Sequence, residues 1–424
     1  MKLQGIPRAT SLPRLARIKQ QFSGPMLHDI PQAVRQTLSG LALPVKAGQT
    51  VALAVGSRGI VNLDVIAKAC VDHVKALGAR PFLFPAMGSH GGGTAEGQRS
   101  VLEHYGITET TMGCPVRATM DVVQVGECLG LPVWLDRYAA EADWIGVINR
   151  VKPHTDFNGV HLESGLFKMM TIGIGKHKGA AQAHRANVRH RYETVITEFG
   201  RVMLKRARIA FGLGIVENGY DETAKVEAFL PAAMEEGERA LLREAKAWMA
   251  RLPFDPIDLL IVDEMGKDIS GAGMDSNIIG RHGTFFEPAY TSPKITFIVV
   301  SDLTPHTYGN AIGIGSADFT TRRLADKIDW EATYVNGLTA VSPAGGKLPV
   351  VLDNTREAIA IALSCLGLDR VEDARVVRIK NTLRIAEVDV SANLLGEVEK
   401  RDDLTPVGDP APLVFDGTGY LAPF

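Results

Sequence analysis

The sequence predicts an α/β protein of two domains, each with a mainly parallel sheet, enclosing an interdomain active-site cleft. Three observations carry that reading. "TVALAVGSRG" (50–59) is an apolar, β-branched run that ends in Gly-Ser-Arg-Gly, the pattern of a buried strand followed by a loop. From Asn62, a capping residue type, Leu63, Ile66, Cys70, Val74 and Leu77 follow the 3.6-residue period, and "PFLFPA" (81–86) opens the next strand. Strand, helix, strand at this spacing is a βαβ unit, and its strands lie in parallel. The same logic restarts in the second half with "IDLLIVDEMG" (257–266) and "KITFIVVSDLT".

Between those anchors the elements follow in order. Thr94 caps a second helix, "DWIGVINR" (143–150) is a strand, and a long helix and the strand "IAFGLGIV" fall between 190 and 216. "EGERALLREAKAWMARL" puts Leu241, Ala245, Trp248 and Leu252 on one helical face, and Pro253 and Pro256 stop it. A boundary near 253–257 therefore divides residues 1–254 from 255–424, with the last ~40 residues free to pack back on the first domain. In the second domain, "SADFTTRRLADKI" reads as a helix capped by Ser316 or Asp318, and "NTREAIAIALSCLG" as another helix.

Composition sets the class. A chain of 424 residues that is 46% hydrophobic and 22% charged buries a large core without disulfides or a structural metal. A formal net charge of −2 implies no general attraction to nucleic acid or to an anionic membrane. Cys70, Cys114, Cys128 and Cys365 form no C-x-x-C pair, which argues against a zinc ribbon or iron–sulfur cluster; Cys70 and Cys365, in helical patterns, read as small core residues. No signal-like apolar run opens "MKLQGIPRATSLPRLARIKQ", and no apolar run reaches 18 residues, so a cytoplasmic enzyme is expected.

Ligands of open α/β sheets bind at the carboxyl ends of strands. That rule makes site edges of the loops beginning at Arg58, His90, Arg150, Asp263 and Asp302. The densest chemistry lies in "NRVKPHTDFNGVHLESGLFKMMTIGIGKHKGAAQAHRANVRH" (149–190), which holds His154, His161, His177, His184 and His190. Lys168 sits between "GLF" and "MMTIGIG". Burial there makes its amine available for covalent chemistry, although the stem can equally pack while the ammonium reaches water. No H-E-x-x-H pattern is present, so a metal held mainly by a cofactor, with one histidine as protein ligand, suits the segment better than an all-protein site. His161, His177 and His190 read as structural or surface residues, and His306 carries no assignment.

Taken together, these motifs resemble the lactate racemase family, whose members use a nickel-pincer nucleotide. The resemblance lies in the arginine loop with Arg58, in "MGSHGGGT" with His90 32 residues later, in "KPH" with His154, in "SGLFK" with Ser164, Gly165 and Lys168, and in His184, 16 residues beyond Lys168. It implies a racemase or epimerase acting by proton-coupled hydride transfer. His90 and His154 would be its two bases, Lys168 the covalent thioamide anchor of the pyridinium mononucleotide, and His184 the nickel ligand. Gly91, Gly92, Ser164 and Gly165 would line the cofactor, and Arg58 would bind cofactor or substrate carboxylate. Proteins that make the cofactor are implied partners. From the glycine-rich loop "KDISGAGMDSNIIGRHG" (267–283), Arg281 is a second candidate for the substrate carboxylate, with a solvated surface arginine the ordinary alternative. The chain departs from the family in having Gly91 after His90, Leu166-Phe167 before Lys168, and a longer gap between His154 and Ser164, which points to a 2-hydroxy acid other than lactate. Other readings are a sugar-acid 2-epimerase with the same cofactor, a pyridoxal phosphate enzyme with Lys168 as Schiff base, and a non-catalytic binding protein.

Overall fold

A computed structural model describes residues 5–56, 59–284 and 286–424. In chain order its strands are β1 (Leu15–Gln20), β2 (Thr50–Val55), β3 (Arg80–Pro85), β4 (Val122–Cys128), β5 (Leu131–Asp136), β6 (Trp144–Arg150), β7 (Ile209–Glu217), β8 (Thr223–Phe229), β9 (Ile257–Met265), β10 (Ile295–Leu303), β11 (Phe319–Thr321), β12 (Val350–Leu352), β13 (Val376–Ile379), β14 (Glu387–Ser391) and β15 (Leu404–Pro406). The α/β class expected from the sequence is what is observed. The chain forms two compact units. A central unit comprises 23–154 and 159–249, and a terminal unit comprises the chain up to Phe22, 155–158 and 250–424.

The central unit is built on a sheet of order β3-β2-β6-β7-β8, parallel except for β8. Val55 of β2 pairs with Pro85 of β3 and with Ile148 of β6, so the carboxyl ends of these strands share one edge. Helix Leu63–Ala76 buries Leu63, Ile66, Cys70 and Val74 against the sheet. Asn62 precedes it in a left-handed conformation and makes no capping bond; its side-chain amide donates to the Thr223 hydroxyl at 3.1 Å. Thr94 does cap helix Ala95–His104, accepting from the Gly97 amide.

The terminal unit has a sheet of order β12-β11-β10-β9-β13-β14-β1-β15, parallel from β12 to β13 and antiparallel beyond. Its composition differs from a division at residue 254. β1 is paired on both sides, by β14 and β15, and Ile18 is fully buried there. The N-terminal strand therefore belongs to the sheet of the second half, and β14 and β15 lie in that sheet too.

Three local expectations are corrected. Phe319–Thr321 of "SADFTTRRLADKI" is a strand, because the hydroxyls of Thr320 and Thr321 donate to Val300 and Ser301 carbonyls of β10. The short helix Arg322–Ala325 is capped by Thr321, not Ser316 or Asp318. Helix Pro231–Trp248 ends before Leu252, since Met249 already has extended backbone. Cys365, at the last position of helix Thr355–Cys365, is exposed, whereas Cys70 is buried. Among the described residues, no helix is long and apolar enough to cross a membrane.

Gly146 tests the packing of the central sheet. A Cβ there would lie 2.6 Å from the Phe211 ring and 2.7 Å from Leu53. Gly146→Ala should cost about 1–3 kcal/mol in chemical unfolding, the usual penalty of overpacking a filled core. An unchanged midpoint would contradict this packing.

Candidate active site

The site grows from the shared carboxyl edge of β2, β3 and β6. Past β6, Lys152 and Ser164 exchange backbone hydrogen bonds at 3.0 and 3.2 Å, which folds residues 153–163 into a loop and returns the chain to the strand it left. The Asn149 side chain then donates to the Gly165 carbonyl at 2.8 Å. Gly165 is required by close approach, because a Cβ would sit 2.0 Å from Oε1 of Glu238. Glu238, from helix Pro231–Trp248, accepts the Phe167 amide at 2.9 Å and so holds the first turn of Leu166–Lys168. Burial pushes its carboxyl up from 4.5 to about 8, against the opposing pull of the Phe167 and Leu166 amides.

Lys168 ends this turn, half-buried, with Nζ 2.5 Å from Nε2 of His154. One of these nitrogens donates and the other accepts, so the pair shares a proton. His154 is buried, and its amide donates to Glu163 at 2.5 Å. Glu163 is in turn paired with Lys246 at 2.6 Å; burial raises its carboxyl while the lysine works the other way. The His154 ring stacks on Tyr192, with centroids 5.7 Å apart and planes at 28°. The Tyr192 hydroxyl lies 2.6 Å from Nδ1 of His184, which projects from helix Lys176–His190. Lys168, His154, Tyr192 and His184 thus form one connected cluster.

The loop bearing His90 docks on the turn that follows Lys168. The Gly88 amide donates to the Gly173 carbonyl at 3.1 Å, and Gly88, at φ +59°, leaves space for Ile172 and Ala180. The buried Gln98 amide donates to the Gly88 and His90 carbonyls at 2.9 and 3.3 Å. Its oxygen accepts from Lys176 at 3.1 Å. Lys176 is fully buried at φ +57°, bonded also to the Pro85 carbonyl and ion-paired with Asp136 at 3.1 Å. Burial lowers the lysine and raises the aspartate, each against the attraction of the other. Gly91, Gly92 and Gly93 all have positive φ, and Gly91 packs against Gly97, where no side chain fits on either residue.

Other expected residues fall differently. Arg58 lies outside the described residues; beside it, the Gly59 carbonyl accepts from Arg150 at 3.1 Å and the Val61 amide donates to Glu217 at 2.9 Å. Arg281 lies in the terminal unit, where its two terminal nitrogens donate to the Ser316, Ile295 and Thr296 carbonyls and to the Asp318 carboxylate. His161, His177 and His306 are exposed and His190 is half-buried. Sequence reasoning missed Tyr192, Glu238, Gln98 and Lys176. Of these only Lys176, set among glycines in "GIGKHKG", carried a visible signal. Among the described residues, no three His, Cys, Asp or Glu side chains are grouped to hold a metal.

No family profile matches the chain, and no curated protein sequence matches it. Among solved structures, the lactate racemase apoprotein from Thermoanaerobacterium thermosaccharolyticum is similar, with a TM-score of 0.50 and 12% identity over 89% of this chain and 94% of that one. At that identity the likeness is one of fold.

Glu238 gives a pH test. A carboxyl raised on folding contributes stability that is intact below its unfolded value and is lost as pH climbs from 4.5 toward about 8. Relative to Glu238→Gln, the wild type should lose roughly 1.4 kcal/mol per pH unit across that window, up to a few kcal/mol. Denaturant unfolding of both proteins at pH 5 to 8 reads the divergence, and parallel curves would refute it.

Proposed function

We propose that this chain is a racemase or epimerase that inverts the 2-carbon of a small 2-hydroxy acid with a covalently held nickel-pincer nucleotide. The observation that supports it is the contact of Lys168 Nζ with His154 Nε2 at 2.5 Å, within a cluster that ends at His184. The residues fit the group. Lys168 is a half-buried amine in a turn whose glycines, Gly165 and Gly173, admit no side chain. Nδ1 of His184 is engaged by Tyr192, so Nε2 would be its ligating nitrogen. With no three-residue cluster among the described residues, a metal here would take its remaining donors from the group that carries it. Lys168 would hold the nucleotide as a thioamide, His184 would ligate nickel, and Gly91, Gly92, Ser164 and Gly165 would lie along it.

When bound, the group would supply a hydride acceptor, with sulfur donors suited to nickel. Removing the substrate's C–H as a proton is difficult, because that hydrogen is barely acidic. The chain's own part is the hydroxyl proton. A neutral imidazole takes it and returns it near neutral pH, and two bases, His90 and His154, serve the two hands of the substrate. As a thioamide nitrogen, Lys168 would no longer be a basic amine beside His154. Arg58 would bind the carboxylate in fork geometry.

The test uses 2-deuterated 2-hydroxy acids, beginning with lactate, and protein loaded in its native host. The label should persist in the inverted product, because a held hydride does not exchange with water. His90→Ala and His154→Ala should each lose about 10²–10⁴-fold in turnover in both directions, with the double variant little worse. Wash-out of deuterium at the rate of turnover would replace this mechanism with direct proton abstraction.

A further inference from the structure

The helix Tyr192–Arg206 begins at an abrupt break. Arg191 adopts φ +61° with extended ψ, so Lys176–His190 stops and the next helix starts with Tyr192 facing inward, 2% exposed. Tyr192 touches two histidines in two ways. Its ring lies against His154, and its hydroxyl meets Nδ1 of His184, whose ring stands edge-on to it at 80°. The next residue, Glu193, accepts the amides of Val160, His161 and Leu162 at 2.9, 2.6 and 3.1 Å. The same helix start therefore also fixes the loop that runs on from His154.

A phenol both donates and accepts, so the 2.6 Å contact alone permits two tautomers of His184. If the phenol donates to Nδ1, Nε2 carries the hydrogen and presents a donor. If Nδ1–H donates to the phenol oxygen, Nε2 presents a lone pair. We infer that Tyr192 is a positioning residue of the second kind: its oxygen accepts from Nδ1–H of His184 and keeps Nε2 bare of hydrogen, while its ring fixes the plane of His154. This rests on the proposed reading of His184 as a ligand, since a cation is bound by a lone pair and never by an N–H. The partner of one ring nitrogen sets the state of the other. A neutral phenol does so without adding a charge beside the imidazole.

The experiment is a nitrogen–proton correlation spectrum of the imidazole rings in [15N]histidine-labelled full-length protein, with His184 assigned by substitution. The wild type should show Nδ1–H and a bare Nε2. Tyr192→Phe, which keeps the stack on His154, should move His184 toward the Nε2–H form. In protein loaded in its native host, the same variant should lose nickel to a chelator about 10–100-fold faster with the Lys168 adduct unchanged. A wild-type ring with hydrogen on Nε2, or a tautomer unmoved in Tyr192→Phe, overturns the inference, and the wild-type spectrum decides even if the variant fails to fold. A bare Nε2 in a native-host protein devoid of nickel would overturn the proposed function and leave the tautomer assignment standing.

Discussion

The site depends on one packing contact, that of helix Tyr192–Arg206 against the turn carrying Lys168. Gly200 lies under the Phe167 ring so closely that a Cβ would be 2.3 Å from it. Thr171, just past Lys168, donates its hydroxyl to the Ile196 carbonyl at 3.1 Å. With Tyr192 holding two imidazoles and Glu193 three loop amides, this helix fixes His154 and His184 and packs on the turn that carries the lysine. The strands of the sheet decide where the chain turns, and this helix decides where the side chains point.

Buried polar groups complete the arrangement at a cost. Glu238, Lys176, Asp136 and Gln98 are all withdrawn from water, and burying ionisable groups is expensive unless each is matched. Each is spent on a backbone group or partner at a site loop: Glu238 on the Phe167 amide, Gln98 on the Gly88 and His90 carbonyls, Lys176 on Pro85, Gln98 and Asp136. Apolar side chains at these positions would leave those loop amides and carbonyls without partners. The lysine's left-handed backbone is a further expense at the same point.

What the sequence made legible was local. Continuous β-branched runs marked β2, β6, β9 and β10, and helical periodicity marked Leu63–Ala76, because both patterns are written in adjacent residues. His154 and Lys168, whose contact no motif stated, are only 14 positions apart. Non-local pairings left no such trace. Nothing in "LARIKQ" tells that β1 inserts between β14 and β15, and nothing in "EGERALL" tells that Glu238 reaches Phe167, 71 positions away. Arg281 was singled out for its glycine-rich loop, and its hydrogen bonds were not legible there. Its acceptors, including Asp318, come from elements that sequence reasoning had not placed beside it.

The central claim is that Lys168 is a covalent anchor and not merely the hydrogen-bond partner of His154. Intact mass combined with elemental analysis of protein purified from its native host tests this most directly. The account predicts a mass above that of the bare 45.7 kDa chain, an added mononucleotide bearing sulfur, and nickel in equal amount, all absent from Lys168→Ala. A native protein with the mass of the bare chain and no nickel, or an adduct that survives in Lys168→Ala, would contradict it.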